Sequence, residues 1–153
     1  MNWKQPPIIK IYEALGAVAD GRVLVDGNKA KVYSSSGNKY YDVAYDAEKG
    51  AIMANDNGSY WKGYVGYPAI AYLMATGVLL YKSELGNLLK GIAWKDINQK
   101  FKNDFDATLA FILAEKSEQE REGLAAYAEQ VQQELAQFNL SLLGKKQLPP
   151  EGY

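Results

Sequence analysis

The stretch that decides the fold is residues 22–54, which read RVLVDGNKAKVYSSSGNKYYDVAYDAEKGAIMA. Short runs of residues that favour strands alternate in it with turn-forming residues. Asp26-Gly27 between two such runs is a strong hairpin signal. Further turns are indicated at 34–38 and 46–50. The pattern predicts a small antiparallel β-meander.

Apolar residues at helical spacing lie on both sides of the meander. A helix is predicted over 7–19, with Pro7 in its first turn and Gly21 as its stop. Several helices are predicted after the meander, the first of them starting at Pro68. The fold class expected is therefore α+β: an N-terminal helix, a small antiparallel β-meander, then several helices with a helical C-terminal extension.

The chain divides into one domain and an appendage. Residues 1–103 are expected to form the α+β domain, residues 104–143 the helical C-terminal extension, and residues 144–153 a disordered tail. Ser117 and Glu120 have the spacing of a capping box. They indicate either the start of a new helix or the exposed middle of one long helix, and the sequence leaves both open.

Composition excludes several kinds of chemistry. The 153 residues include no cysteine and no histidine, which rules out disulfides, thiol nucleophiles, cysteine-based zinc sites and an imidazole base. The motifs of a phosphate-binding loop and of a hydrolase nucleophile are also absent from the sequence. We therefore expect a protein that is not an enzyme and that uses no cofactor and no metal.

One uncharged stretch, residues 63–81, is almost long enough to span a bilayer. It contains three glycines, a proline, a threonine and four tyrosines, so a buried core segment is the better interpretation. The N-terminal residues lack the apolar core of a signal peptide. We expect a cytoplasmic protein with no membrane partner.

A resemblance to a known family covers residues 33–76. Two strands, a spacer and an apolar helix follow one another there, as in a SWIM zinc finger, whose zinc ligands are a Cys-x-Cys pair and a Cys-x-His pair. The ligand positions fall on Ile52, Ala54, Gly66 and Pro68, none of which can bind zinc. The segments that carry the pattern are 34–43, 52–54, 60–61 and 66–74. The resemblance implies a metal-free relative of modules that bind DNA or proteins.

Residues 83–102 resemble a helix-turn-helix, with Gly91 between two short helices. Trp94, Ile97 and Phe101 are predicted to face the core. The opposite face carries residue types that contact phosphates and base edges, which makes it the candidate surface for nucleic acid or another partner. These residues are Lys95, Asn98, Gln99 and Lys102. They support DNA binding as the alternative to a protein-binding interaction module.

Aromatic and acidic residues add two further hypotheses. Seven aromatic residues between 40 and 67 form either a stacking platform or ordinary half-buried sheet residues. A carboxylate-dependent hydrolase would need two converging acids from a set on or near the turns. That set is Asp42, Asp46, Glu48 and Asp56.

The C-terminal extension carries an apolar stripe and an acidic charge. Residues 104–153 contain 4 basic and 9 acidic side chains, against 13 and 9 in residues 1–103. A polar stretch at 115–123 precedes the stripe and suggests an arm that carries it outward. We therefore expect a homodimer, beside an unidentified protein partner. The interface residues predicted are Leu124, Val131, Leu135, Phe138 and Leu142.

Overall fold

The computed structural model describes residues 1–151 and shows an α+β fold. The N-terminal helix is α1 (Ile9–Ala19). The strands are β1 (Val23–Asp26), β2 (Lys29–Tyr33), β3 (Tyr40–Asp46), β4 (Ala51–Ala54) and β5 (Ser141–Leu142). A π-helical turn (Gly58–Lys62) precedes α2 (Tyr67–Ala75), α3 (Ser83–Asn87), α4 (Trp94–Lys100), α5 (Phe105–Leu113) and α6 (Glu118–Phe138).

The predicted meander is confirmed. Strands β1 to β4 pair antiparallel in chain order, and the β1–β2 hairpin closes where Asp26 pairs with Lys29. Gly27 takes a positive φ of 61° in that turn, a conformation that glycine adopts without steric cost. The sheet has a fifth strand that the sequence did not indicate, because β5 is only two residues long and pairs parallel with β4.

Helix α2 is the centre of the core. It contacts all four antiparallel strands on one side and α1 on the other, and its residues from Pro68 to Met74 are buried. A helix that is apolar all round belongs in the interior, which explains why residues 63–81 carry no charge. No helix within residues 1–151 combines the length and the apolar character that crossing a membrane would require.

The C-terminal extension consists of two helices, and the capping box of Ser117 and Glu120 starts the second. The predicted dimer interface is wrong for three of its residues. Leu124, Val131 and Leu135 are at most 1% exposed within a single chain, because α6 folds back onto α1 and α3. Helical spacing shows that a stripe must be buried, but not whether its own domain or a partner buries it.

The other two predicted interface residues lie at the end of this helix. Phe138 is 38% exposed, and Leu142 pairs with Ile52 in the sheet. Two contacts also position part of the segment predicted to be a disordered tail. The Leu148 carbonyl accepts from the Asn55 amide at 3.4 Å, and Lys146 Nζ donates to the Tyr60 carbonyl at 3.2 Å. Residues 152 and 153 of that segment lie outside the described residues.

The four positions of the SWIM-like pattern serve packing and turns. Ile52 and Ala54 are buried in β4, as expected for ordinary core residues. Gly66 precedes α2 and Pro68 lies in its first turn. Kinship with SWIM modules stays a prediction.

Candidate functional site

A cavity of about 590 Å³ opens between α1, α4, β3 and the segment 56–67. Its volume lies within the range of small-molecule sites. Basic, acidic, amide and aromatic side chains share its wall. The lining residues are Lys10, Glu13, Arg22, Ser34, Ser35, Tyr41, Asp56, Asn57, Trp61, Lys62, Tyr64, Tyr67, Trp94, Lys95, Asn98, Gln99, Asn103 and Phe105.

An ion pair on α1 lies in the wall of this cavity. Lys10 Nζ is 2.9 Å from Glu13 Oε2, one helical turn away. Burial by itself lowers the pKa of Lys10, but the charge of Glu13, and after it Tyr64, the hydrogen bond with Glu13 and Asp56, raise it overall. Asn98 of α4 donates its amide to Glu13 Oε1 at 3.0 Å. The buried carboxylate is thus paired and hydrogen-bonded, as a buried charge must be.

A second carboxylate, Asp56, lies at the start of the π-helical turn and is also buried. It accepts the Ser59 hydroxyl at 2.6 Å and the Ser59 backbone N–H at 3.2 Å. Burial raises its pKa, and these hydrogen bonds oppose that rise. A Cβ atom on Gly66 would lie 2.0 Å from Asp56 Oδ2. The carboxylate can therefore occupy this position only beside a glycine.

Aromatic side chains supply most of the apolar wall. Tyr41 and Tyr67 meet edge to face, with ring centroids 6.0 Å apart. Burial, followed by the charges of Asp56 and Glu13, raises the pKa of Tyr41 to about 12. Burial also raises the pKa of Tyr67 and Tyr64. All three hydroxyls therefore keep their protons at neutral pH, so they can donate hydrogen bonds.

The exposed rim of the cavity carries a tryptophan. Trp61 is 66% exposed, although most tryptophans in folded proteins are largely buried. Its ring meets the edge of Tyr60, with centroids 4.7 Å apart and planes inclined at 80°. An indole ring held in this way presents a large apolar surface to water beside the cavity.

Basic groups gather where β2 ends. The Arg22 guanidinium donates to the Tyr33 carbonyl at 2.8 Å and pairs with Asp20 at 3.1 Å. The backbone N–H of Lys95 donates to the Ser35 hydroxyl at 3.1 Å. Burial, and after it the nearby ammonium of Lys39, lower the pKa of Lys95 to about 8, while Asp96 acts in the opposite direction.

The predicted contact residues on and just after α4 divide between cavity and surface. Lys95, Asn98 and Gln99 line the cavity, and Lys102 does not. The prediction that Asn98 is an outward-facing contact is wrong, because it is 7% exposed and bonded to Glu13. Periodicity assigns a polar residue to the surface and cannot detect a buried polar partner from another helix. Gln99 and Lys102 are exposed, and DNA binding stays a prediction.

The predicted core face of α4 is confirmed at Trp94, which is 3% exposed. Ile97 is partly buried against the core. Phe101 packs on the ring of Phe111 at 5.6 Å rather than in the main core. Its position near the end of a seven-residue helix explains the difference.

The carboxylates proposed for hydrolysis do not converge as a group. Asp42 and Glu48 are exposed, and Asp46 is partly exposed; of the four, Asp56 alone lines the cavity. Glu13 was not among the predicted residues, although a Lys–Glu pair on an otherwise apolar helix marks it in the sequence. Within residues 1–151, no three acidic side chains come close enough together to hold a metal ion.

Comparison with known proteins gives one match. No curated protein and no solved structure matches the chain significantly. A family match spans residues 3–141, so it includes every residue that lines the cavity. Because it covers most of the 153 residues, the chain belongs to the family described as "Uncharacterised conserved protein UCP014422".

Proposed function

We propose that the protein is a non-enzymatic binding module and that the cavity is its recognition site. The observation that carries the proposal is a cavity wall that combines fixed polar groups with aromatic rings, beside an exposed tryptophan on the rim. Cavities of this size with a few fixed polar groups are typical of ligand sites. Covering the Trp61 ring would remove a large apolar surface from water, which favours binding.

The hydrogen bonds inside the cavity favour binding over catalysis. Glu13 is held by Lys10 and Asn98, and Asp56 is held by Ser59. A carboxylate that acts as an acid or base must exchange a proton with the substrate. Both carboxylates are held by protein donors, which supports a role in keeping the wall in shape.

The proposal is tested by thermal shift with a small-molecule extract from cells, filtered to remove macromolecules. The extract should raise the melting temperature of the native protein, because a ligand that binds only the folded state stabilises it. Trp61→Ala should reduce this shift at least by half. The matched control is Phe111→Ala, which removes another exposed aromatic ring (49% exposed) outside the cavity. An equal shift in the native protein and in Trp61→Ala would reject the cavity as the site.

A second candidate function is protein binding through β1, with a second copy of the chain as the partner. Within residues 1–151, β1 pairs only with β2, so its other edge offers unpaired backbone groups. Leu24 and Val25 on this strand are 54% and 45% exposed. An exposed apolar edge strand is a template for pairing with another strand.

The sequence of this edge is complementary to itself. Residues 22–26 read RVLVD. If two copies pair antiparallel around Leu24, the two Leu24 side chains lie opposite each other and Val23 of each copy lies opposite Val25 of the other. Apolar cross-strand pairs are stabilising, and two-fold dimers with identical patches are the commonest oligomers. This surface would support the predicted homodimer without the buried stripe on α6.

A further inference from the structure

We infer that the cavity binds an uncharged ligand rich in hydroxyl groups, a small neutral saccharide. The inference rests on the proposed function and names the class of ligand. Three features of one cavity carry it: a buried amide oxygen without a partner on Asn98, a group of tyrosine hydroxyls, and the exposed ring of Trp61 at the rim. The hydroxyl groups of the sugar would bind inside, and its ring would lie on Trp61.

Two of the cations that line the cavity are already paired within the protein. Lys10 Nζ lies 2.9 Å from Glu13 Oε2, and Arg22 Nε lies 3.1 Å from Asp20 Oδ2. The four side chains are largely buried, where a charge without a partner would be costly. Each pair is neutral as a whole, so neither requires a charged ligand to balance it. This part of the wall therefore favours an uncharged ligand.

The unused acceptor is the side-chain oxygen of Asn98. A carboxylate paired with a lysine can only accept hydrogen bonds, so the Asn98 nitrogen must face Glu13, to which it donates at 3.0 Å. Within residues 1–151, nothing donates to the Asn98 oxygen, although the residue is only 7% exposed and lines the cavity. A buried acceptor without a partner is costly. A hydroxyl group on the ligand would satisfy it.

Tyrosine hydroxyls in the same wall both donate and accept hydrogen bonds. Tyr41, Tyr64 and Tyr67 line the cavity, and burial raises the pKa of all three phenols, so they keep their protons at neutral pH. The wall therefore presents donors and acceptors around one space. An alcohol hydroxyl is an uncharged group that can pair with both, because it carries one donor and two acceptor lone pairs. A ligand with several hydroxyl groups matches this wall.

The rim suits the C–H face of a sugar ring. Trp61 is 66% exposed, and Tyr60 meets it in a T-shaped contact. The face of an aromatic ring is electron-rich, so it attracts the C–H groups that lie on one side of a sugar ring. Covering the indole with these groups also removes apolar surface from water. A saccharide can therefore turn its C–H groups to Trp61 and its hydroxyl groups to the interior.

Calorimetric titration of the native protein tests the inference with neutral sugars and two probes of other classes. The sugars are glucose, galactose, mannose, N-acetylglucosamine, maltose and cellobiose. Glucuronate supplies a sugar ring with a negative charge, and adenine supplies an uncharged planar ring without hydroxyl groups. At least one neutral sugar should bind at one per chain and at least tenfold more tightly than glucuronate and adenine.

Variants assign the two parts of that sugar. Trp61→Ala should weaken its binding at least tenfold, and Tyr64→Phe, which removes one hydroxyl group and keeps the ring, at least threefold. Circular dichroism confirms an intact fold. The matched controls are Phe111→Ala and Tyr40→Phe, at exposed positions outside the cavity, and they should leave the affinity unchanged. Equal losses in the controls and in the cavity variants would overturn the assignment.

Nuclear magnetic resonance reads the buried acceptor without a substitution that could disturb the fold. Saturation with the sugar should shift the side-chain amide signal of Asn98, because its oxygen gains a hydrogen bond. The signal of Asn28, which is exposed in the β1–β2 turn outside the cavity, should stay in place. A bound sugar that leaves the Asn98 signal unchanged would contradict the inference.

The inference also fails if no neutral sugar binds, if glucuronate or adenine binds as tightly as the best sugar, or if the cavity variants bind like the native protein. Its failure can be told apart from failure of the proposed function. If the cell extract still stabilises the native protein through Trp61 while no neutral sugar binds, the cavity is a ligand site for another chemical class. If the extract has no effect either, both proposals fail.

Discussion

An added Cβ atom at Gly66 would lie 2.0 Å from the Asp56 carboxylate, closer than any non-bonded contact allows. We expect Gly66→Ala to lower the free energy of unfolding by roughly 1–3 kcal/mol, because the carboxylate or the start of α2 must move. Urea denaturation measures the change. Gly123→Ala is the matched control, since its Cβ would meet only Leu85 at 3.5 Å and alanine favours a helix. Equal losses in the two variants would contradict the explanation.

Two tryptophans that line the same cavity should lose very different amounts of stability on truncation. Trp94 is 3% exposed and its indole lies against Gly16 of α1, so Trp94→Ala should cost roughly 3–5 kcal/mol of stability. Trp61 is 66% exposed, and Trp61→Ala should change the stability by less than about 0.5 kcal/mol. Chemical denaturation of both variants measures this. An unchanged melting temperature in Trp94→Ala would show that α4 is packed differently.

Tyr41 should make the folded state sensitive to alkali. Its pKa is about 12 in the folded chain and near 10 when unfolded. The folded state therefore holds the proton more tightly, so stability falls as pH rises from 10 to 12, by about 2–3 kcal/mol for this group. Tyr41→Phe should remove that part of the decrease. Urea denaturation at pH 9 and pH 12 compares the two proteins, and an identical decrease in both would contradict the assignment.

Single residues of the site were only partly predictable from sequence. Lys95 and Gln99 were selected because of their type and they do line the cavity. Asn98 was selected for the same reason but assigned to the wrong face. Its partner Glu13 is 85 residues away in sequence, and no local pattern records so distant a pairing.

Among the elements, those defined by local signals were predictable. The turns at Asp26-Gly27 and around Gly37 and Gly50 delimit strands that the structure confirms. Strand β5 was missed because it exists through long-range contacts alone. Leu142 N–H donates to the Met1 carbonyl, and Trp3 N–H donates to the Leu140 carbonyl. A two-residue strand that depends on such contacts has no amino-acid composition by which it could be predicted.

Helix α6 gives a direct test of where its stripe is buried. Leu135 is 1% exposed in the chain's own core, so Leu135→Asp should destabilise the fold by more than about 3 kcal/mol, because it removes apolar packing and buries a charge. Phe138, one turn later, is 38% exposed, and Phe138→Asp should cost less than about 1.5 kcal/mol. Circular dichroism during heating measures both. A folded Leu135→Asp chain with a changed oligomeric state would instead restore the stripe as an interface.

The acidic C-terminal extension packs on its own domain. Helix α6 contacts α1 and α3, and β5 joins the sheet beside β4. The sequence suggested that the polar stretch 115–123 is an arm that points outward. In the structure this stretch forms the connection between α5 and α6 and the beginning of α6. The charge difference between residues 1–103 and residues 104–153 therefore lies within one folded unit. An oligomer must use a surface that this packing leaves open.

The free edge of β1 is such a surface, and it leads to a prediction about mass. If two copies pair through residues 22–26, sedimentation equilibrium at micromolar concentration should show twice the chain mass of 17.0 kDa. Leu24 would face its own copy across the two-fold axis, so Leu24→Lys would bring like charges together and should yield a monomer. Leu148→Lys is the control, because Leu148 is another exposed leucine (66%) outside the strand. A native monomer, or a dimer that survives Leu24→Lys, would exclude this edge as the interface.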